Sequence, residues 1–383
     1  MKKPLFTVGI IAFKQYRYIY ECIDSILMQE YPNIEIVICN DCSDDFDCES
    51  VKKYIEEKKS SNIKSVIVIN NKEHLDTVKN ANKVFSLAKG EFVKLHAADD
   101  LLYDEKSLSA FCEVFTRDNA NIVVGRCKAY DKFGSYQRQY PSQEHFNKII
   151  SATPRELFNA LAFTNIIHSP GVCLRRSFYE VLGGFDEKYS IIEDWPMWLK
   201  ICRLGYKIHH TNHIVVRYRL GGISNSTDNT PQIKKFRQRC WSEYFDIYKN
   251  ELLYFKRLLG FKTVIKLRLA IFVLKIFYDR DFEYDSFSIS RKISFNIRRL
   301  LLAFYMSLRN SLIEWKNKIT IKVIVREMAI GLGFILVTSI YGNWIGNVTL
   351  ILGLIYILNS AFKCICFLLN IGKKILYILG DKI

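Results

Sequence analysis

Three acidic positions within residues 1–200 carry residue types that could do chemistry in an α/β enzyme. They are Asp41, the pair Asp99 and Asp100, and the pair Glu193 and Asp194. Carboxylates can bind a divalent cation, accept hydrogen bonds from a polyhydroxylated or phosphorylated ligand, or act as a general base. The three positions therefore predict an enzyme site that combines a metal, a polar ligand and a base.

The first two acidic positions directly follow short apolar runs. Residues 34–39 precede Asp41, and residues 91–95 lie just before Asp99. A strand that ends in a carboxylate places charge at the carboxyl edge of its sheet, which is where open α/β folds bind ligands. We therefore expect these carboxylates at one edge of a sheet.

The elements that must position these residues alternate along the chain. The predicted strands are residues 6–12, 34–39, 64–70 and 91–95, from their apolar runs. Apolar residues spaced three and four apart predict a helix at residues 17–29. A charged stretch predicts a helix at 49–59, and a third helix is predicted at 75–88. Short links in such an alternation imply parallel pairing with right-handed crossovers. Continuous apolar strands fit a sheet that is covered on both faces.

Weaker patterns follow as far as residue 230. We predict helices at 104–116, 154–163 and 195–204, and strands at 121–130, 171–174 and 206–219. Residues 137–153 are polar and poorly patterned, so we predict a mobile loop there. The turn-rich residues 221–231 mark a domain boundary, which gives an α/β catalytic domain at 1–230.

Charge separates the chain into two parts. The net charge is +16, and residues 1–230 contain 30 Lys and Arg against 29 Asp and Glu, whereas residues 231–383 contain 25 against 10. A basic region can bind nucleic acid or anionic lipid, and here its apolar neighbours favour a membrane surface. The eleven cysteines include one isolated CxxC, Cys39 and Cys42, which we predict to be reduced because no second pair completes a metal site.

The basic part divides again. Residues 231–325 include the basic, aromatic-rich segments 255–277 and 297–315, which predict amphipathic helices at a membrane interface, or else a solvated helical bundle. Residues 328–362 contain no charged side chain. We predict for 326–383 a membrane hairpin that spans or re-enters the bilayer, with a buried soluble hairpin as the alternative. No secretory signal opens the chain, so we expect the catalytic part at the cytoplasmic face of the inner membrane.

A series of short segments resembles the family 2 glycosyltransferases, which have the GT-A nucleotide-sugar fold. The segments are TVGIIAF at 7–13, ECIDSILMQEYPNIEIVI at 21–38, NDCSDD at 40–45, KN at 79–80, AKGEFV at 88–93, ADD at 98–100, GGFDE at 183–187, EDWPMWLK at 193–200 and GY at 205–206. The resemblance covers about residues 5–220 and does not extend to 231–383. It implies a Rossmann-like α/β mixed sheet, followed here by the helical, membrane-associated region.

The resemblance also implies roles for individual residues. Asp41 should accept a hydrogen bond from the nucleobase of the donor, usually uracil, with Ala12 and Phe13 lining the same pocket. Lys79 stands where the family often has a basic residue near the donor. Asp194 should be the general base that deprotonates the acceptor hydroxyl.

The metal position departs from the family pattern. The resemblance makes Asp99 a ligand of Mn²⁺ or Mg²⁺, but Ala97 replaces the acidic residue usually found two positions earlier. Ligation then rests on Asp99, phosphates and water. We expect His96 to continue the strand rather than bind metal, and Asp100 to cap a helix that starts at Leu101.

Five other residues carry open or divergent assignments. Cys42 and Asn82 stand where glycine is common in the family. We expect Glu193 to be structural, holding the loop that presents Asp194. Trp195 could offer a face to an acceptor ring, whereas we expect Trp198 in the core.

Together these features predict an inverting glycosyltransferase. It would move a sugar from a nucleotide-sugar donor to a glycan acceptor, which we expect to be lipid-linked, by single displacement and one addition at a time. A membrane scaffold of the same fold with weak catalysis is the alternative, supported by Ala97. A nucleic-acid-binding protein is a third hypothesis, which the uncharged 35-residue stretch opposes. The sequence leaves the oligomeric state undetermined.

Overall fold

The computed structural model describes residues 3–14, 16–131, 133–223 and 230–277. The segment 297–315 and the hairpin predicted at 326–383 lie outside these residues. The first compact unit runs from Met1 to Leu274, so it continues past the boundary that we predicted at residue 230.

A mixed β-sheet forms the centre of the described part. Its strands are β1 Phe6–Ala12, β2 Ile34–Asn40, β3 Ile63–Asn70, β4 Phe92–Ala97, β5 Leu101–Leu102, β6 Ile122–Tyr130, β7 Tyr136–Tyr140, β8 Val172–Arg175 and β9 His209–Arg219. Their order is β3-β2-β1-β4-β8-β6-β9-β5, and β7 pairs with β6.

The first four strands form the parallel half of the sheet. β1 lies between β2 and β4, with Ala12 opposite Asn40 and Ile11 opposite Ala97. Every residue of β2 is buried, as expected for a strand covered on both faces. The register brings the ends of β1, β2 and β4 to the same edge of the sheet. The predicted parallel pairing of residues 6–95 is therefore confirmed.

Helices cover the sheet and extend beyond it. The α-helices are α1 Tyr16–Leu27, α2 Cys48–Lys58, α3 Asp76–Leu87, α4 Ser107–Arg117, α5 Gln143–Ser151, α6 Pro154–Ala160, α7 Arg176–Val181, α8 Asp194–Arg203, α9 Pro231–Ile247 and α10 Phe261–Phe277. A π-helical segment, Tyr248–Leu253, continues α9. Three clusters of buried apolar side chains fill the space between the sheet and these helices.

The segment 137–153 is ordered, so the predicted mobile loop is wrong. It contributes β7, which pairs antiparallel with β6, and α5. The Ser142 hydroxyl caps α5 by accepting from the amide of His145 at 3.2 Å, and Phe146 and Ile149 are buried. An exposed edge strand and a nine-residue helix bury too few apolar residues to give a clear sequence period.

The helices after residue 230 pack against the catalytic part. Ile247 and Leu267 lie in the same buried cluster as Trp195 and Trp198. On α10, Phe261 is 80% exposed, and neighbouring basic residues are exposed as well. Within the described ranges, we find no helix with the length and apolar character needed to cross a membrane.

Candidate active site

Asp41 lies at the carboxyl edge of the parallel strands, immediately after β2. Its amide donates to the carbonyl of Ala12 at 2.8 Å, and the amide of Ala98 donates to the carbonyl of Ile11 at 3.1 Å. The chain segments that carry Asp41 and Asp99 therefore flank the end of β1. The structure brings these two sequence-predicted positions to one edge of the sheet.

The carboxylate of Asp41 is buried and held by three neighbours. It accepts from the amide of Leu75 at 2.7 Å and from the side chain of Asn71 at 3.2 Å, and its second oxygen lies 2.7 Å from Nδ1 of His74. A carboxylate offers about four acceptor positions. Contacts from the described residues thus leave room for about one further donor, such as the N–H of a nucleobase.

His74 continues the contacts of Asp41 toward the protein surface. Its ring stacks on Phe13 with the ring centroids 4.4 Å apart, and its Nε2 lies 3.2 Å from Asp76. Phe13 remains 39% exposed, so the pair offers an aromatic surface beside the carboxylate. Our sequence analysis missed His74 and Asn71. Their position just after β3 was the available signal, because β3 ends at the same sheet edge as β2.

Lys83, rather than Lys79, is the lysine of α3 that contacts this group. Its ammonium donates to the side-chain oxygen of Asn71 at 2.8 Å. Lys79 lies about one turn earlier and is exposed. The role that the resemblance gives to Lys79 stays a prediction, and Lys83 lies one turn further along the same helix.

Asn82 anchors a loop that leads toward Asp194. Its side chain donates to the carbonyl of Phe185 at 3.0 Å and to Glu187 at 2.8 Å, and it accepts from the amide of Phe185 at 3.0 Å. The asparagine that replaces a common glycine thus fixes the loop that follows Gly183 and Gly184.

Cys42 adopts a backbone conformation that favours glycine, with φ at +61°. A left-handed conformation costs a residue with a Cβ roughly 1–2 kcal/mol. We expect Cys42→Gly to be more stable than Cys42→Ala by about 0.5–1 kcal/mol, after the greater freedom of glycine in the unfolded chain is subtracted. Urea denaturation of the two variants measures this difference. The same pair of substitutions at exposed Glu56, inside α2, should show the opposite order. Greater stability of Cys42→Ala would contradict the expectation.

Asp99 and Asp100 occupy the turn between β4 and β5. Asp100 is buried and accepts from the amide of Arg219 at 2.9 Å, while the Arg219 side chain donates to the carbonyl of Asp99 at 3.0 Å. Burial and the neighbouring Asp99 raise the pKa of Asp100 well above its usual range. The end of β9 thus holds this turn, and Arg219 is a residue that sequence analysis missed.

The predicted helix cap at Asp100 is wrong. Leu101 and Leu102 form β5, which pairs antiparallel with Arg217 and Val216 of β9. Leu102 is buried, and its amide donates to the hydroxyl of Ser25 at 3.0 Å. Pairing with a strand more than a hundred residues away replaces the local helix, so a local pattern could not show it.

The donor set fits a cation that binds mainly to substrate phosphates. Among the described residues, no group of three or more His, Cys, Asp or Glu side chains is arranged to hold a metal. Mg²⁺ typically uses one or two carboxylates together with phosphates and water. The half-buried Asp99 can supply one carboxylate. His96 lies buried in β4, as expected, and burial lowers its pKa well below the usual value.

Asp194 is the first residue of α8. One carboxylate oxygen accepts from the side chain of Asn165 at 2.6 Å, and the other accepts from the amide of Trp195 at 2.6 Å. Burial raises the pKa of Asp194 to about 6, and burial together with adjacent Asp194 raises the pKa of Glu193 further. Neighbouring carboxyl groups with separated pKa values suit an acid–base pair in which Asp194 is the ionised member near neutral pH.

Trp195 belongs to the core, so its predicted role as a surface for an acceptor ring is wrong. Its ring is 2% exposed and packs edge-to-face against Tyr244 and Tyr248, and its indole N–H donates to the carbonyl of Leu161 at 2.9 Å. Trp198 is also buried, as expected. A tryptophan at helical spacing packs inward when helices such as α9 cover its face, and the sequence of α8 alone cannot reveal that cover.

Activity that depends on ionised Asp194 should decline as the pH falls below about 6. A general base must be deprotonated, so the rate is full above its pKa and is lost below it. The Asn165 side chain stabilises the ionised form and lowers the pKa of Asp194. We therefore expect Asn165→Leu to move the acid limb of the kcat/KM profile to higher pH. If the acid limb of the profile does not move, the ionisation of Asp194 does not produce that limb.

Comparison with known proteins identifies the catalytic part. The family described as Glycosyl transferase family 2 matches residues 7–182. The chain carries a family 2 glycosyltransferase domain. An uncharacterized glycosyltransferase of Haemophilus influenzae is 24% identical over 265 residues, which cover 65% of this chain and 76% of the relative. The glycosyltransferase domain therefore accounts for the parallel half of the sheet and for the segments that carry Asp41 and Asp99.

Two relatives with stated activities are similar at the same level. The UDP-Glc:alpha-D-GlcNAc-diphosphoundecaprenol beta-1,3-glucosyltransferase WfaP of Escherichia coli is 24% identical, over 60% of this chain and 82% of its own. The chondroitin synthase of Pasteurella multocida is 25% identical over 232 residues. The matched segment covers 61% of this chain but only 22% of the synthase.

Solved structures align with the glycosyltransferase at lower identity. The mannosyltransferase PcManGT of Pyrobaculum calidifontis, in complex with GDP-Man and Mn²⁺, is 16% identical with a TM-score of 0.49, covering 95% of this chain and 87% of its own. Residues 1–349 of S. aureus TarS, in complex with UDP-GlcNAc, are 15% identical with a TM-score of 0.48, covering 77% and 79%. Because both TM-scores lie below 0.5, the fold description rests on the strand order and the family match.

Proposed function

We propose that this glycosyltransferase moves a sugar from a nucleoside-diphosphate sugar, with a UDP-sugar as the first expectation, to a hydroxyl of a glycan acceptor with inversion. The observation that carries the proposal is the contact between the Asp41 pocket and the loop that presents Asp194. The amide of Val78, in the first turn of α3, donates to the carbonyl of Ser190 at 3.1 Å. The helix that follows the contacts of Asp41 and the loop that leads to Asp194 therefore touch directly, which supports one site for the proposed nucleoside position and for a carboxylate with a raised pKa.

The donor side of the reaction falls to Asp41 and its neighbours. Ala12 and Phe13 end the first strand beside it, and Asp41 retains acceptor capacity for a nucleobase N–H. The exposed aromatic surface of Phe13 and His74 suits the flat face of a base or the apolar face of a ribose. Asp41 would fix the nucleoside, and the diphosphate would extend toward Asp99.

Asp99 would hold Mn²⁺ or Mg²⁺ together with the diphosphate oxygens. A bound divalent cation offsets the charge that develops on a departing nucleoside diphosphate. Ala97 supplies no second carboxylate, so the residues present make metal affinity depend on the bound nucleotide.

Asp194 would take the proton of the acceptor hydroxyl. The acceptor oxygen forms a bond to the anomeric carbon while the bond between that carbon and the diphosphate oxygen breaks. The electron pair of the broken bond leaves with the nucleoside diphosphate. Asn165 orients the carboxylate for this transfer. General-base help of this kind contributes about 10²–10⁴-fold in rate. With one base and no enzyme nucleophile, the displacement inverts the anomeric configuration.

We further propose a lipid-linked acceptor met at the cytoplasmic membrane surface. The stated substrate of WfaP is a diphosphoundecaprenol-linked sugar. On α10, exposed Phe261 and Ile265 lie among exposed Lys262, Lys266 and Arg268, a composition that suits an anionic membrane surface. Sedimentation of the full chain with anionic lipid vesicles tests this location. Failure to sediment with them at low salt would contradict it.

A donor panel tests the proposed function. The full-length protein is incubated with Mn²⁺ and UDP-glucose, UDP-N-acetylglucosamine, UDP-galactose, UDP-N-acetylgalactosamine or GDP-mannose, with and without a lipid-linked saccharide extract. We expect nucleotide release from one donor above all others, increased by the extract and abolished by EDTA. No release from any donor would favour the membrane scaffold with weak catalysis, the alternative that Ala97 supports.

A further inference from the structure

A buried glutamate on α9 binds the loop that leads into the catalytic base. Glu243 is 9% exposed, and its carboxylate accepts from the amide of Ser190 at 2.7 Å and the hydroxyl of Ser190 at 2.6 Å. It also accepts from the amide of Ile191 at 3.1 Å and the amide of Ile192 at 2.9 Å. Three consecutive backbone N–H groups therefore converge on one carboxylate.

This arrangement fixes the backbone directly before the base. Residues 190–192 are followed at once by Glu193 and Asp194. Converging backbone N–H groups form a concave anion-binding site, and here the chain's own carboxylate occupies it. An ionised acceptor strengthens each of these hydrogen bonds. The position of Asp194 thus depends on a residue about fifty positions later in the chain.

Arg239 lies one helical turn before Glu243 and contacts both sides of the site. Its guanidinium donates to the carboxylate of Asp76 at 2.6 Å and to the hydroxyl of Ser190 at 2.9 Å. Asp76 also lies 3.2 Å from Nε2 of His74, whose Nδ1 pairs with Asp41. A continuous series of contacts therefore runs from the nucleoside pocket through Arg239 to the loop of the base.

We propose that Glu243 and Arg239 are positioning residues that set Asp194 relative to the bound donor. This inference rests on the proposed role of Asp194 as the base. Glu243 places the loop, and Arg239 ties that loop to the donor pocket. α9 is then part of the catalytic machinery, although it lies outside the matched residues 7–182.

The first test is Glu243→Gln, with Glu251→Gln as a matched control. Glu251 is buried as well, on the π-helical segment that continues α9, but its partners are the side chains of Lys188, Tyr189 and Arg203 rather than backbone amides. A glutamine amide nitrogen cannot accept from the loop, so the base should shift. A shift of about 1 Å costs on the order of 10²-fold in rate. We expect Glu243→Gln to lower kcat by about 10- to 100-fold with the donor KM within about threefold. Glu251→Gln should keep kcat within about twofold at a similar loss of Tm.

The second test is Arg239→Met, which removes the contacts of Arg239 with Asp76 and with Ser190. It should raise the donor KM and lower kcat together. In the double variant of Arg239→Met and Glu243→Gln, the fold loss of kcat should be smaller than the product of the two single losses. If the kcat loss of Glu243→Gln only follows its Tm loss, as in Glu251→Gln, the inference is overturned. If the two kcat losses multiply in the double variant, Arg239 and Glu243 act independently, and the proposed link between the donor site and the loop is overturned.

Hydrogen exchange distinguishes failure of the inference from failure of the proposed function. Glu243→Gln should speed exchange at the amides of residues 190–192, and Glu251→Gln should not. If the wild-type chain turns over no donor but this difference appears, the proposed function fails and the anchoring of the loop stands. If exchange at these amides does not change, the inference fails whatever the activity.

Discussion

Replacing Asp194 by Asn should lower kcat by about 10²–10⁴-fold and leave nucleotide affinity nearly unchanged. The asparagine side chain cannot take the proton of the acceptor hydroxyl, but its carbonyl oxygen can still accept from the backbone N–H of Trp195. The nucleoside site that we propose at Asp41 is built from other residues, so UDP should still bind. Single-turnover transfer with the donor found in the panel, together with calorimetry of UDP binding, measures both quantities.

Asp186→Asn is the matched control for this substitution. Asp186 lies on the loop that precedes Asp194, and its side chain is 47% exposed in an ion pair with Lys188. Removing its charge should keep kcat within about twofold, as for most exposed side chains away from a site. If Asp194→Asn retains near wild-type kcat, another group serves as the base and the assignment of Asp194 is wrong.

Replacing Asp99 by Asn should abolish most of the contribution that Mn²⁺ makes to nucleotide binding. Ala97 leaves Asp99 as the carboxylate that we assign to the metal, so no acidic neighbour two positions earlier compensates. Loss of a group that merely orients a metal ligand costs about 10–100-fold in affinity, and loss of the ligand itself should cost at least as much. Calorimetry of UDP binding with and without Mn²⁺ gives this contribution directly, without any turnover.

Asp100→Asn tests the same turn without removing the assigned ligand. One oxygen of its buried carboxyl group, whose pKa is raised, accepts from the amide of Arg219. We expect the Mn²⁺ contribution to UDP binding to remain within about threefold and stability to fall, because the buried contact with Arg219 changes. Equal losses in Asp99→Asn and Asp100→Asn would show that the turn, rather than one carboxylate, is what the metal requires.

Much of the sheet edge that we assign to the donor could be predicted because its signals are local. Continuous apolar strands followed directly by polar residues gave β1 to β4 and placed Asp41 and Asp99 at one edge. The same rule applied to β3 would have added Asn71 and His74. These residues follow from short stretches of sequence, since parallel strands with short links leave few alternatives.

The acceptor side depended on contacts between distant parts of the chain. β5 exists because Leu101 and Leu102 pair with β9, and two residues carry no period of their own. Trp195 is covered by Tyr244 and Tyr248, which lie beyond the boundary that we predicted at residue 230. Glu243 is one acidic residue in a basic segment, and no local pattern shows that its carboxylate binds residues 190–192.

The stereochemistry of the released sugar tests the central claim most directly. Proton NMR records the anomer formed from an α-linked nucleotide sugar in the first minutes of acceptor-free hydrolysis, before mutarotation. Base-assisted attack of water by single displacement predicts the β-anomer from the wild-type chain and its loss in Asp194→Asn. Initial release of the α-anomer would contradict an inverting displacement with Asp194 as the base.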